Sequence, residues 1–254
     1  MAGFYFFYYA TVGAFMPFWS PYLAARGFSA AQMGVAFALM GMMRTFVPIA
    51  WGTLADRSGR RVRLIRIASV LSLVTFMGIP FVHGVFWVGA LMLAYTVFWH
   101  ALLPQFEAVA LTHLGLSGGD YARVRLWGSV GFIVSVLGLG YALDITGIIA
   151  LPWLVGGAWL AMAASTFRVP DAPVMHHADA PQGSIREVLR RPEVLALLAV
   201  CLASQLSFAP YYNFFTLFLE RHGYTRGQAG FLWALGVIAE IGMFANMRKL
   251  IPQV

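Results

Sequence analysis

W-G-T-L-A-D-R-S-G-R-R-V-R-L-I-R, residues 51–66, lies between two hydrophobic runs and carries five arginines, Arg57, Arg60, Arg61, Arg63 and Arg66. One acid, Asp56, and two glycines, Gly52 and Gly59, accompany them. Arginines crowded into a short connection between apolar spans mark the cytoplasmic ends of the flanking helices, because translocating them across lipid is costly. The rest of the chain is laid out from that point.

The 254 residues are 60% hydrophobic and only 11% charged, with a mean hydropathy of +0.75. A soluble domain of this length could not bury so much apolar surface, whereas a bundle of membrane-spanning helices has lipid as the solvent for its outer face. The fold class expected is therefore all-α, a polytopic membrane protein. A net charge of +7 and a pI near 9.9 would suit nucleic acid. The basic residues fall almost wholly in alternate connections, however, so no nucleic-acid partner is expected. Cys201 is the single cysteine, so no intrachain disulfide can form, and it reads as a small packing residue. The opening M-A-G-F-Y-F-F lacks the basic region of a cleavable signal peptide and reads as the start of a retained first span.

A span needs about twenty apolar residues at 1.5 Å rise per residue. Eight segments qualify: 4–23, 32–54, 64–83, 85–111, 121–143, 148–167, 194–219 and 228–247. With the N-terminus inside, thirteen basic residues fall on the cytoplasmic side: Arg57, Arg60, Arg61, Arg63, Arg66, Arg123, Arg125, Arg168, Arg186, Arg190, Arg191, Arg248 and Lys249. Three, Arg26, Arg221 and Arg226, fall outside, and Arg44 lies within a span. That asymmetry sets a cytoplasmic N-terminus. Residues 168–193 stand apart, with Pro170, Pro173, Pro181 and the polar run H-H-A-D-A-P-Q-G-S followed by I-R-E-V-L-R-R. They read as a cytoplasmic linker ending in a short amphipathic helix, in which His176 and His177 are solvated rather than metal-bound. The expected domains are residues 1–167, a linker at 168–193, and the start of a second bundle at 194–254.

A shift of 196 residues brings out an internal repeat. Gly27, Gln32, Gly34, Ala38 and Leu39 fall on Gly223, Gln228, Gly230, Ala234 and Leu235; Phe28 falls on Tyr224, Phe37 on Trp233 and Arg44 on Glu240. The offset equals six helices plus the linker, so spans seven and eight begin a second copy of the first half. Parallel six-helix repeats about an axis normal to the membrane are a transporter architecture.

Residues 52–61, G-T-L-A-D-R-S-G-R-R, resemble the G-x-L-a-D-r-x-G-r-k/r signature between helices two and three of the major facilitator superfamily. Gly52 would let two helices approach, Gly59 permits a tight turn, and Asp56 caps a helix end or pairs with an arginine. The resemblance implies that Gly52, Asp56, Arg57, Gly59, Arg60 and Arg61 form a loop that latches the two halves in the outward-facing state. Y-A-R-V-R-L-W-G-S-V-G-F, residues 121–132, looks like the start of helix five in the lactose-permease and phenylpropionate-permease group of proton symporters. F-L-W-A-L-G-V-I-A-E, residues 231–240, is similar to helix eight of the phenylpropionate-permease-like members, and M-P-F-W-S-P-Y-L, residues 16–23, fits the end of their first helix. Against that pattern the chain is expected to be truncated after helix eight. Glycines 128, 131, 138 and 140 suit close packing of helix five and lack the Gly-Pro pairing of the superfamily's exchangers, which favours symport.

An ionisable side chain at mid-membrane costs roughly 2.5–3.5 kcal/mol on insertion scales, so each needs a reason. Glu107 on helix four lies seven residues after His100, on one helical face, and Arg125 opens the antiparallel helix five near the same membrane side. The separation of Glu107 and Arg125 equals that of the carboxylate–arginine pair in lactose-permease-like symporters, which implies a cavity pair; the plainer reading has Arg125 reaching the headgroups, with Glu107 neutralising it. Arg44 and Glu240 hold equivalent repeat positions and are expected to face one central cavity as a pair or proton relay, or as a static bridge between the halves. His100 is a relay candidate, although a histidine in a packed span is commonly satisfied by a carbonyl. Of the many aromatics, most read as interfacial; Tyr212 and Asn213 are the better substrate candidates, since Asn213 is a rare polar side chain in its span.

The expected function is import of a small organic solute by proton symport across the bacterial-type inner membrane, with alternating access to a mid-membrane site. The resemblance implies an aromatic acid of phenylpropionate type, whose carboxylate Arg44 or Arg125 would receive. A sugar or nucleoside, or an inactive truncated fragment, is the alternative. Gly118, Gly119 and Asp120 form a G-G-D without a partner aspartate in a span, and read as a turn; no H-E-x-x-H occurs. The chain is expected to be no enzyme, to hold no cofactor or metal, and to work as a monomer in the bilayer on solute and protons.

Overall fold

The computed structural model describes residues 1–114, 118–170 and 188–250. The regular structure among them is helical: α1 (Ala2–Phe15), α2 (Trp19–Ala25), α3 (Ala30–Ser58), α4 (Arg61–Met77), α5 (Val85–Leu114), α6 (Gly118–Thr146), α7 (Leu151–Thr166), α8 (Pro192–Arg221) and α9 (Arg226–Leu250), with 3-10 turns at Ile79–Phe81 and Ile148–Ala150. Six of these segments are by themselves long and apolar enough to cross a bilayer. The linker at 171–187, with His176, His177 and most of the expected amphipathic helix, lies outside the described residues.

The first expected span is not one helix. It breaks after Phe15, and α2 restarts at Trp19. Pro17 has no N–H to offer and its ring would strike the carbonyl of the preceding turn, whereas Pro21 sits in the first turn of α2, where no N–H partner is required. Pro48, Pro104 and Pro210 stay inside continuous helices. The G-G-D at 118–120, expected as a turn, instead opens α6. First-turn residues have no intrahelical acceptor to satisfy, so glycines are tolerated there. Cys201, expected as a packing residue, is exposed on α8, a helix that buries almost none of its apolar length within this chain.

The core is aromatic. Tyr8 stacks on Trp99 with centroids 4.7 Å apart, Phe4 on Phe106 at 3.8 Å, and Phe76 meets Trp159 edge-on at 4.0 Å. These rings tie α1, α4, α5 and α7 together. Helices α1 and α6 run so close that glycine is obligatory: a Cβ on Gly131 would stand 2.1 Å from the Phe6 carbonyl oxygen, and one on Gly13 would stand 2.7 Å from that of Phe132. Arg66, the last arginine of the stretch at 51–66, takes part in packing. Its guanidinium donates to the carbonyls of Thr166 (3.4 Å) and Val169 (3.1 Å), completing the C-terminal end of α7.

The repeat has a structural counterpart at its start. In both copies the preceding helix ends on a left-handed glycine, Gly27 at φ 83° and Gly223 at φ 85°. In both, the amide of the residue after that glycine donates back to the carbonyl of a leucine, Phe28 to Leu23 at 3.0 Å and Tyr224 to Leu219 at 3.1 Å. In both, a reciprocal capping box follows: Ser29 with Gln32, and Thr225 with Gln228. Beyond the cap the copies diverge in what they touch. A Cβ on Gly230 would meet the Val136 carbonyl oxygen at 2.5 Å, whereas the equivalent Gly34 faces open space.

That difference arises because α9 packs along α6. Gly140, Gly227 and Gly230 line the contact. At its end the Asp144 carboxylate accepts the backbone N–H groups of Arg226 (2.8 Å) and Gly227 (2.9 Å), capping α9 from another helix. Arg226 in turn donates to the Leu143 carbonyl at 3.1 Å and pairs with Glu220 of α8 at 2.7 Å.

Candidate functional site

Polar side chains converge where α1, α5 and α6 meet. Glu107 and Arg125 form an ion pair, Oε1 to Nη1 at 3.0 Å. Tyr121, one helical turn before Arg125 and hence on the same face, completes a triangle: its hydroxyl donates to Glu107 Oε1 at 3.4 Å and accepts from Arg125 Nη1 at 3.1 Å. The pair is half open, with the Arg125 side chain 51% exposed and that of Glu107 29% exposed. A single guanidinium nitrogen makes both contacts, so the rest of the planar fork is not committed to Glu107.

Helix α1 supplies the wall. Tyr5 of α1 is fully buried, its ring edge-on to Phe106, the residue before Glu107, with centroids 5.2 Å apart. Tyr9 lies against Gly128, where a Cβ would stand 2.5 Å from its ring, so the glycine of α6 is what admits the tyrosine beside Arg125. Arg44 of α3 is exposed, and His100 of α5 is half-buried.

Other expectations are not met in the form stated. No ion pair among the described residues joins Arg44 to Glu240, and both side chains are exposed. Equivalent repeat positions share a face of their own bundle, but a pair also needs the two helices side by side, and α9 lies along α6. Asn213 turns its amide onto the carbonyl of Ala209 in its own helix, at 2.9 Å, and its backbone carbonyl accepts from the Ser20 hydroxyl. One amide N–H is thereby committed, and the second N–H and the Oδ1 acceptor are left for another partner. Tyr212 is partly exposed, 5.9 Å from the Trp233 ring in a cluster with Tyr211 and Phe215. In the arginine-rich connection, Asp56 and Arg61 form an ion pair, Gly59 takes a left-handed φ of 64° to end α3, and Arg57 and Arg60 are exposed. Gly52 does not mark an obligatory close approach: a Cβ there would lie 3.7 Å from Gln105 Nε2, an ordinary contact.

Sequence reasoning missed Tyr121 as a site residue and Asp144 as a cap. The first was detectable from its four-residue spacing to Arg125. The second depends on which helix meets α6 at its end, which no local pattern carries.

Comparison with known proteins gives this geometry a setting. The model of the MFS_1 like family matches residues 1–254. The chain is 31% identical over 261 residues to the "Probable 3-phenylpropionic acid transporter" of Escherichia coli (strain K12), covering 97% of this chain and 65% of that protein. It is 29% identical over 267 residues to the "Maltose permease" of Geobacillus stearothermophilus, covering 98% of this chain and 66% of that one. The crystal structure of the nucleoside transporter NupG superposes with a TM-score of 0.78 at 16% identity, over 97% of this chain and 65% of that structure. The chain thus spans about two thirds of the length of the relatives it matches, and the last likeness is one of fold.

Proposed function

This chain belongs to the MFS_1 like family of major facilitator transporters, and on that premise we propose that it imports a small aromatic carboxylate of phenylpropionate type by proton symport. The observation that carries the reading is the half-open Glu107–Tyr121–Arg125 triangle: an arginine with uncommitted donors, among tyrosine rings, in a helical bundle with little other charge. A guanidinium fork matches a carboxylate, and aromatic walls match a phenyl ring. The printed name of the 31%-identical relative supports the same substrate class.

In this reading the halves, residues 1–167 and 194–254 with the linker at 168–193, move about a shared cleft. The Asp56–Arg61 loop serves the switch on the cytoplasmic side. Arg44 and His100 line the same cleft, with Glu240 and Tyr212 contributed from the second copy. The protein sits as a monomer in the cytoplasmic membrane with its N-terminus inside, as the distribution of arginines supports.

The test is uptake of radiolabelled 3-phenylpropionate by cells producing the protein, with and without a protonophore. Accumulation that collapses when the proton gradient is removed is expected. Uptake equal to that of empty cells would sink the reading. A sugar or nucleoside substrate is the second reading, favoured by the likeness to the maltose permease and to the fold of the nucleoside transporter. Competition by excess unlabelled maltose or uridine, rather than by phenylpropionate, would be its signature.

A further inference from the structure

We propose that Tyr121 is a positioning residue that holds Glu107 when a substrate carboxylate takes Arg125. The inference rests on the reading of the substrate as a carboxylate and deepens it. As the site stands, Glu107 Oε1 receives two donors, Arg125 Nη1 at 3.0 Å and the Tyr121 hydroxyl at 3.4 Å. The same Nη1 also donates to Tyr121 at 3.1 Å. An incoming carboxylate competes with Glu107 for the Arg125 guanidinium. Without Tyr121, binding substrate would leave Glu107, whose side chain is 29% exposed, with no side-chain donor among the hydrogen bonds of the described residues, and a partly desolvated carboxylate without a donor is costly.

Tyr121 removes most of that cost. Its hydroxyl already points at Glu107 Oε1 along a long bond, which can shorten once Nη1 departs. The substrate replaces Glu107 at Arg125 instead of expelling it. No covalent step and no further reagent are involved; the exchange is one of hydrogen-bond partners.

The experiment measures 3-phenylpropionate uptake kinetics in cells and its binding to the purified protein by calorimetry, for the wild type, Tyr121→Phe, Glu107→Gln and the double variant, with membrane levels quantified. Phenylalanine keeps the ring and deletes only the hydroxyl. The expected result is a KM and a Kd raised about five-fold, the worth of one ordinary hydrogen bond, because the contact to the carboxylate is long and partly solvated, with the maximal rate per molecule unchanged. In the Glu107→Gln background no anion is left to be stranded, so the same hydroxyl deletion should change Kd less than about two-fold. A maximal rate that falls while KM stays put, an equal penalty in both backgrounds, or loss of all binding in Glu107→Gln would each overturn the proposal. If the wild type itself neither binds nor imports 3-phenylpropionate, the reading of the substrate falls, and this inference with it. If the wild type binds and Tyr121→Phe is unaltered, only the role of Tyr121 falls.

Discussion

Gly131→Ala should lower the apparent melting temperature of the detergent-solubilised protein by about 10 °C, the shift that roughly 3 kcal/mol produces in a chain of this size. The added methyl would stand 2.1 Å from the Phe6 carbonyl oxygen and 2.9 Å from its carbon. Those are backbone atoms in the middle of a helix, so neither can swing aside as a flexible side chain would. Helices α1 and α6 must part, and the tyrosines of α1 then leave Glu107 and Arg125. Gly138 on the same helix is the control, since a Cβ there meets nothing within 4 Å. Gly138→Ala should be neutral or slightly stabilising, because alanine is the better helix former. Thermal unfolding followed by tryptophan fluorescence distinguishes the two, and equal melting temperatures for both variants would contradict the packing described.

The second large effect concerns Arg125. Arg125→Ala should cut 3-phenylpropionate uptake about a hundred-fold at limiting substrate, reflecting the loss of two charge-assisted hydrogen bonds to the carboxylate. Deleting the guanidinium also leaves Glu107 without its cation, which repels an incoming anion. Partial exposure of the pair holds the effect below that of a fully buried one. Arg125→Lys keeps the charge but not the planar fork and should retain about a tenth of the wild-type rate. Transport assays normalised to protein in the membrane measure both. A lysine variant as inactive as the alanine one would argue for a role in folding.

How much of this was legible beforehand follows from the range of the forces involved. Spans are written in runs of apolar residues, so they can be read locally. The Glu107–Arg125 pair could be anticipated because two antiparallel helices joined by a short connection bring such positions level. The break at Pro17 was harder, since Pro48, Pro104 and Pro210 sit in unbroken helices and sequence does not say which kink becomes a turn. That Arg44 and Glu240 form no direct ion pair among the described residues was hidden for a different reason. Pseudosymmetry relates each residue to its own bundle, but contact between bundles depends on which helices adjoin, and α9 lies on α6 through Gly140, Gly227 and Gly230. Sequence does not show that one Asn213 amide N–H is donated to the carbonyl one turn back. Tyr121 and the capping boxes at Ser29 and Thr225 were written in short spacings that the search for charges passed over.

The central claim is that the Arg125 guanidinium, beside Glu107 and Tyr121, is where the solute's carboxylate binds. Calorimetric titration of the purified protein with 3-phenylpropionate, alongside Arg125→Ala, tests it without relying on transport. Saturable heat from the wild type and none from the variant is the result expected. Equal affinity in the two proteins would mean that the solute binds elsewhere in the bundle.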